Sequence, residues 1–505
     1  MTTPSIRQKI ILPVLACASV ALLSACAVGP DFHEPAAPEV KAYTPAPLPA
    51  QTAATGVPGG AAQTLQSGGD IPAQWWNLFE SPKLNELIQQ ALAANPTVAG
   101  AQAALRNAQE TLRAGEGALF PSITAKAGFN RERSSGASFG NPGSSSNVFN
   151  LYNASVGVNY SLDIFGGVQR GLEAQRAQVE YQQFVLESTY LTLAANTVTT
   201  ALRAASLHAQ QDATNDIITA EAEQLRVIRK KVELGGASKV DSLAVLSQVA
   251  ATRATLPPIQ KALAQTQDQL AVYVGKQPGS FEPVNLDLTG LKLPQQLPLS
   301  LPSELVRQRP DVRAAEAQLH AASANVGIAT ANMLPQITLS GAYGSQAGIA
   351  RDLFSPGSSI WNLGAGLLQP IFNAGELSAQ RRAAIASYDQ SLANYQSVVN
   401  GAFQNVADVL AALDADANAL KAQYDAYDAA DKSLQLTQKQ YQLGAVSYVA
   451  LLNAQGLYQQ ARIGYVQAIA IRYEDTAALF QALGGGWWNR GKDGAAGGAA
   501  QPPKL

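Results

Sequence analysis

The sequence predicts an α+β chain. About four long amphipathic strands form a sector of a membrane β-barrel that closes only among copies, long α-helical coiled coils continue it, and two internal repeats build the whole. Three observations predict this. Paired runs of alternating residues occur twice, two stretches of about 65 residues lack proline, and matching segments recur at fixed offsets along the 505 residues.

Composition narrows the function classes. Charged residues make up only 14%, and 35 Lys+Arg against 37 Asp+Glu leave a net charge of −2, so no basic surface invites nucleic acid. Three histidines and two cysteines leave little material for a metal centre, a redox pair or a disulfide framework. His33, His208 and His320 stand in separate segments, with no cysteine or paired carboxylate at ligand spacing. Gly484–Gly486 is followed by no P-loop lysine. An enzyme reading therefore finds no residues to carry it, and no cofactor is expected.

The amino terminus reads as an export signal over residues 1–25. Arg7 and Lys9 precede the apolar stretch Ile10 to Leu23, which Pro13 interrupts and which is shorter than the roughly 20 residues a membrane-spanning helix needs. Its end, Leu23-Ser24-Ala25-Cys26, resembles the bacterial lipobox, which implies S-diacylglycerol and N-palmitoyl groups on Cys26. Ala27 after the cysteine, in place of aspartate, implies passage to the outer membrane. Residues 26–82 are expected to form a lipid-anchored tether, because Ala27 to Asp70 is rich in Pro, Ala and Gly and has no period.

The repeats come next. Pro96-Thr97-Val98 returns as Pro310-Asp311-Val312 and Pro121-Ser122-Ile123-Thr124 as Pro335-Gln336-Ile337-Thr338. Leu234-Gly235-Gly236-Ala237-Ser238 returns as Leu443-Gly444-Ala445-Val446-Ser447, and Gly275 pairs with Gly484 at the same offset. The expected boundaries are 83–275 for the first repeat, 276–302 for a linker, 303–486 for the second repeat and 487–505 for a disordered tail.

Each repeat changes period from helix to strand and back. Helical spacing around Leu84, Leu87, Ile88 and Ala91 runs on to about Leu119 and stops at Pro121. Alternation then places Ile123, Ala125, Ala127 and Phe129 on one face. After a polar segment, Glu132 to Asn147, it places Tyr152, Ala154, Val156, Val158, Tyr160 and Leu162 on one face too. The second repeat follows with Ile337, Leu339 and Tyr343, then Trp361, Leu363 and Leu367. Runs of roughly 8–11 residues suit strands that cross a bilayer, yet four are too few for a barrel of about 8 strands or more. Lipid tolerates no open sheet edge, so closure must occur between copies, with eight strands from two chains or twelve from three.

Val168 to Glu233 and Glu376 to Gln442 contain no proline and a single glycine each, enough for helices on the order of 100 Å. Return helices are expected over Asp241 to Val274, interrupted at Pro257-Pro258, and over Tyr448 to Leu483. Gly235 and Gly444 end the long helices as left-handed caps, and Ser238 and Ser447 start the return helices as N-caps. Two helix-hairpin turns account for these residues fully. Their recurrence suggests a docking surface.

Together these residues resemble the TolC-like outer-membrane factors, and within them the efflux lipoprotein type. The pieces that carry the likeness are Cys26-Ala-Val-Gly-Pro-Asp-Phe32, Trp75-Trp76 before Phe79, Arg307-Gln-Arg-Pro-Asp-Val-Arg-Ala-Ala-Glu-Ala-Gln-Leu319, Asp163-Ile-Phe-Gly-Gly167, Pro370-Ile-Phe-Asn373 and Ala482-Leu-Gly-Gly-Gly-Trp487. The resemblance implies a homotrimer with a twelve-stranded barrel in the outer membrane and a helical tunnel across the periplasm. It further implies a periplasmic adaptor and an inner-membrane pump of the RND type as partners, with drugs and other small toxic compounds as cargo. A protein-secretion conduit of type I systems is the alternative within the family.

The resemblance also assigns sites. Leu234, Gly235, Leu443 and Gly444 would meet the adaptor at the periplasmic tips. Asp241, Tyr441 and Asn453 match gate positions, and Asn453 departs from the aspartate of many relatives. Asparagine does not titrate, so the expected gate responds less to pH and divalent ions. As the first-turn acid of a helix, Asp241 has a simpler role in complementing the dipole.

Overall fold

A computed structural model of the chain describes residues 27–40, 42–47, 49–134 and 147–490. The expected signal peptide, Cys26 and the last fifteen residues, 491–505, lie outside the described residues. The helices are α1 (Pro82–Ala94), α2 (Pro96–Glu116), α3 (Gly167–Glu233), α4 (Lys239–Tyr273), α5 (Pro302–Gln308), α6 (Pro310–Ala331), α7 (Glu376–Gln442) and α8 (Tyr448–Ala482). The strands are β1 (Thr64–Ser67), β2 (Ser122–Ser134), β3 (Asn147–Leu162), β4 (Gln296–Leu299), β5 (Gln336–Ala347) and β6 (Ser359–Leu368). Both long helices have 67 residues and both return helices 35.

The chain divides into two compact units that do not coincide with the sequence repeats, since each unit takes residues from both. One comprises the described residues up to Pro35 with Leu105–Gln182 and Ala315–Tyr395; the other comprises Ala36–Ala104, Gln183–Ala314 and the chain from Gln396.

The first unit holds a four-stranded antiparallel sheet in the order β2-β3-β5-β6. Its register aligns the alternating residues in rows. Ile123 pairs with Val158, Val158 with Gly341 and Gly341 with Leu363; Ala125, Val156, Tyr343 and Trp361 make the next row. Every apolar alternate therefore shares one face. Thr124, Gly157, Ala342 and Asn362 share the other. The strands outrun the alternation: β2 continues to Ser134 and β3 begins at Asn147, inside the segment expected to be a polar loop. Asn130 and Arg131 still find ladder partners in Leu151 and Asn150, and backbone pairing does not depend on an apolar row.

The second unit is built around buried aromatic residues. Trp75 stacks on Phe480 at 5.3 Å, Phe79 lies tilted against Tyr473, and the Tyr473 hydroxyl donates to the Leu291 carbonyl at 2.7 Å. Arg472 is fully buried among them. It donates to the carbonyls of Gly59 and Ala61 and to Thr52 Oγ1 at 2.8–3.0 Å, and to the Leu413 carbonyl at 3.5 Å. Gln63, also fully buried, donates to the Pro294 carbonyl and Thr476 Oγ1, while β1 pairs in parallel with β4.

These contacts correct three expectations. Residues 52–69 are held in place rather than forming a free tether, because Arg472, Gln295 and Leu299 satisfy their backbone groups from a distance. The chain end is ordered through Arg490: Trp487 Nε1 donates to the Gln308 carbonyl and Asn489 to Asp70 and the Ile71 carbonyl. Finally, α4 runs unbroken through Pro257 and Pro258. The two carbonyls that lose their helical donors belong to Arg253 and Ala254, which are exposed and can be hydrated.

Candidate functional site

Two features gather the residues singled out by sequence: the ends of the helix hairpins and the apolar face of the sheet. At the first hairpin end Gly235 takes φ +78°, its N–H donates to the Val232 carbonyl, and the Gly236 N–H reaches back to Lys231 at 2.7 Å. Gly444 repeats the geometry at φ +75°, donating to Tyr441, while the Ala445 N–H bonds Gln440 at 2.9 Å. Both are Schellman caps, and the left-handed residue is glycine in each because a side chain there would be strained.

The caps turn one leucine outward at each end: Leu234 is 76% exposed and Leu443 83%. Val240, Leu243 and Val449 beside them are exposed as well. The repeat matches Val240 with Val449 and Leu243 with Leu452, but the helical period alone does not say which face is covered.

The two hairpin ends pack on each other. Leu225 and Ile228 of α3, Val245 and Val249 of α4, and Tyr448 and Leu451 of α8 form one buried cluster, with Leu434 and Tyr441 of α7 against its edge. The recurring turns thus belong to one structure.

Asp241 is the third residue of α4 and completes a capping box. The Ser238 hydroxyl accepts from the Asp241 N–H, and the Asp241 carboxylate accepts from the Ser238 N–H, both at 3.1 Å. In α8, Ser447 caps the Ala450 N–H, and alanine there cannot return the bond. Tyr441 meets Tyr448 edge-on at 5.4 Å, and Lys231 Nζ lies 5.1 Å from the Tyr441 ring centre. Burial, then the nearby Asp241 charge, pushes the Tyr441 hydroxyl above its ordinary value. Burial, with Tyr441, Glu221 and Asp241, does the same to Tyr448. Asp241 and Tyr441 therefore share one electrostatic neighbourhood. Asn453 is exposed on α8, two residues past Leu451.

Away from the ends, polar side chains tie the long coils together in a way the sequence reading missed. Gln455 donates to Gln224 at 2.5 Å, Arg462 pairs with Asp216 at 2.7 Å and Gln467 donates to Gln210 at 3.1 Å. Spacings of seven and fourteen residues (Gln455 to Arg462, Gln210 to Gln224) were the available signal. Glu221, 2% exposed on α3, accepts from Gln248 of α4 at 3.3 Å, and burial raises its carboxyl.

The sheet supplies the other feature. Ile123, Tyr343, Trp361, Leu363 and Leu367 are each about two-thirds exposed or more on the apolar face, and β2 and β6 are the sheet's edges. So large an uncovered apolar surface marks contact with lipid or protein. No helix among the described residues is long and apolar enough to cross a membrane.

Comparison with known proteins agrees with this geometry. The family described as "Outer membrane efflux protein" matches the chain twice, over residues 87–276 and 301–485. The chain is similar to the "Pyoverdine export outer membrane protein OpmQ" of Pseudomonas aeruginosa, with 31% identity over 451 residues, 88% of this chain and 94% of that one. It is similar to the "Probable efflux pump outer membrane protein TtgC" of Pseudomonas putida, with 29% identity over 475 residues, 93% of this chain and 94% of that one. Among solved structures, the outer-membrane channel OprN superposes with a TM-score of 0.81 and 25% identity, covering 92% of this chain and 100% of that one.

Proposed function

The chain belongs to the outer membrane efflux protein family, and from that premise we propose that it is the exit duct of a tripartite efflux system. It resides in the outer membrane and is not an enzyme. Three copies each contribute four strands to a twelve-stranded barrel, and the helix hairpins form a periplasmic tunnel. A periplasmic adaptor meets the exposed Leu234 and Leu443 at the hairpin ends, and an inner-membrane RND-type pump supplies the energy. Cys26 carries a diacylglycerol and an N-palmitoyl group. The cargo consists of drugs and other small toxic compounds, and selection rests with the pump, because the polar sheet face of Thr, Asn, Ser and Gly offers little to discriminate.

One observation carries this reading: a single chain presents an apolar sheet face to its surroundings and, among the described residues, leaves two sheet edges unpaired. In lipid each unpaired backbone group costs several kcal/mol, so the edges demand partners, and those partners are the β6 and β2 of other copies. The matched segments 87–276 and 301–485 support the reading of the chain as a duplication. The test is complementation. Expressed with its adaptor and pump in a strain lacking its own exit duct, the chain should restore dye efflux, and Leu443→Asp should abolish that rescue while leaving outer-membrane assembly intact. Rescue by the Leu443→Asp chain would overturn the docking assignment; no rescue by the wild-type chain would overturn the function.

A further inference from the structure

The residues that follow Cys26 have only weak secondary-structure preference, yet in the sheet unit they are held from several sides. The Val28 N–H donates to the Phe165 carbonyl at 3.1 Å. Arg170, whose side chain is 6% exposed, donates through Nε to the Val28 carbonyl at 3.2 Å and pairs through Nη2 with Asp31 at 2.6 Å. Its Nη1 pairs with Glu173 at 2.7 Å, and Glu173 in turn meets His320 Nε2 at 3.0 Å. Phe32 stacks on the His320 ring, with centroids 4.3 Å apart and planes at 13°.

Close packing adds to this. Gly29 has φ +101°, and a Cβ there would lie 2.4 Å from Gly327 Cα. A Cβ on Gly166 would lie 2.7 Å from Ala27. Ordering six residues costs on the order of 1 kcal/mol each, an amount that disordered chain ends do not recover. Against that cost stand the buried Arg170 guanidinium, which holds both the Val28 carbonyl and the exposed Asp31 carboxylate, and the Phe32 stack on His320.

The location is informative. Ser122 pairs with Asn159, Leu162 with Ile337 and Gln336 with Leu368, so the four strand ends that connect to helices lie at one end of the sheet. Phe165 and Gly166 follow β3 directly at that end.

We propose that Arg170, Glu173, His320 and Gly327 form a seat for the chain's own mature amino terminus, Ala27–Phe32, which delivers the lipid on Cys26 to the membrane from a fixed point at the helix-bearing end of the sheet. The lipid-positioning role rests on the reading that Cys26 is acylated; the seat does not. The ion pair holds the Asp31 carboxyl below its ordinary range, through its hydrogen bond to Arg170 and the Arg170 charge.

The experiment is hydrogen exchange on the full-length lipoprotein in native outer-membrane vesicles, with the amino-terminal peptide weighed in the same samples. The Val28 amide should exchange at least about tenfold more slowly than an unstructured amide. Asp31→Ala and Gly29→Val should remove that protection and leave β3 and β5 unchanged, and Asp31→Glu should restore part of it. Free exchange at Val28 in the wild-type chain, or protection indifferent to Asp31→Ala, overturns the seat. Protection together with an unmodified Cys26 overturns the lipid-positioning role and leaves the seat standing.

Discussion

Replacing Asp416 by asparagine should remove most of the pH dependence of local stability where α7 meets α8. Asp416 of α7 sits beside Asp475 of α8, its Oδ2 is enclosed without a hydrogen-bond donor, and the donors of Arg472 are spent on three carbonyls and a hydroxyl. The opposing charge on Asp416 is Arg472 of α8, and Asp475 in turn lies near Glu474, which feels Arg203 of α3. Burial, then the Asp475 hydrogen bond and charge, push the Asp416 carboxyl up to about 7. A carboxyl raised from roughly 4 keeps its proton in the folded state while the opened state releases it. Stability is therefore complete below about pH 4 and is lost progressively as pH rises to about 7. The full shift would be worth about 4 kcal/mol, but Asp416 is half-exposed, and solvent screening reduces this to about 1–2 kcal/mol. Asparagine cannot ionise and can donate to Asp475. Hydrogen exchange of the amides around Asp416 and Asp475, corrected for intrinsic rates, should then be roughly 5–30-fold slower in Asp416→Asn than in wild type at pH 8, and equal at pH 4. Superimposable pH profiles for the two proteins would refute the reasoning.

Three further outcomes are expected. Asn453→Asp should make single-channel conductance more sensitive to pH near 4–5 and to millimolar divalent cations than it is in wild type, as planar-bilayer recordings would reveal. Gly275→Ala should lower stability by about 2 kcal/mol or more, because Gly275 has φ +71° and an added Cβ would lie 2.4 Å from the Ala94 carbonyl oxygen; thermal unfolding of the purified protein checks this. Ser238→Ala should speed amide exchange in the first turn of α4 by about fivefold through loss of the capping box, with Ser447→Ala costing less because its box is incomplete.

Local signals explain what the sequence made legible. The expected helix Glu376 to Gln442 has the observed bounds because proline-free sequence ends on a glycine that only a left-handed cap uses well. Gly275 and Gly484, paired by the repeat, do the same work: each has positive φ and packs on a carbonyl oxygen, of Ala94 and Gln308 respectively. The alternation of Ile123 with Val156, Tyr343 and Trp361 predicted one common face, and the register confirms it. Long-range partners explain what was missed. Arg472 reaches more than 400 positions back to Thr52 and Gly59, and Asp416 meets Asp475, with no periodicity to announce either contact. Composition read 27–70 as a tether for the same reason, since a segment without its own period can still be ordered by contacts made elsewhere. At the hairpin ends the sequence marked the turns themselves, whereas the union of α3, α4, α7 and α8 around Tyr448 and Leu451 required the fold.

The most direct measurement is the native mass of the detergent-solubilised protein, taken with the conductance of the same preparation in planar bilayers. Three copies of the mature chain per particle, each particle opening one ion-conducting pore, is the predicted result. A single chain per particle, or a preparation that leaves the bilayer insulating, would contradict the claim that four strands with two open edges become a pore only by joining other copies.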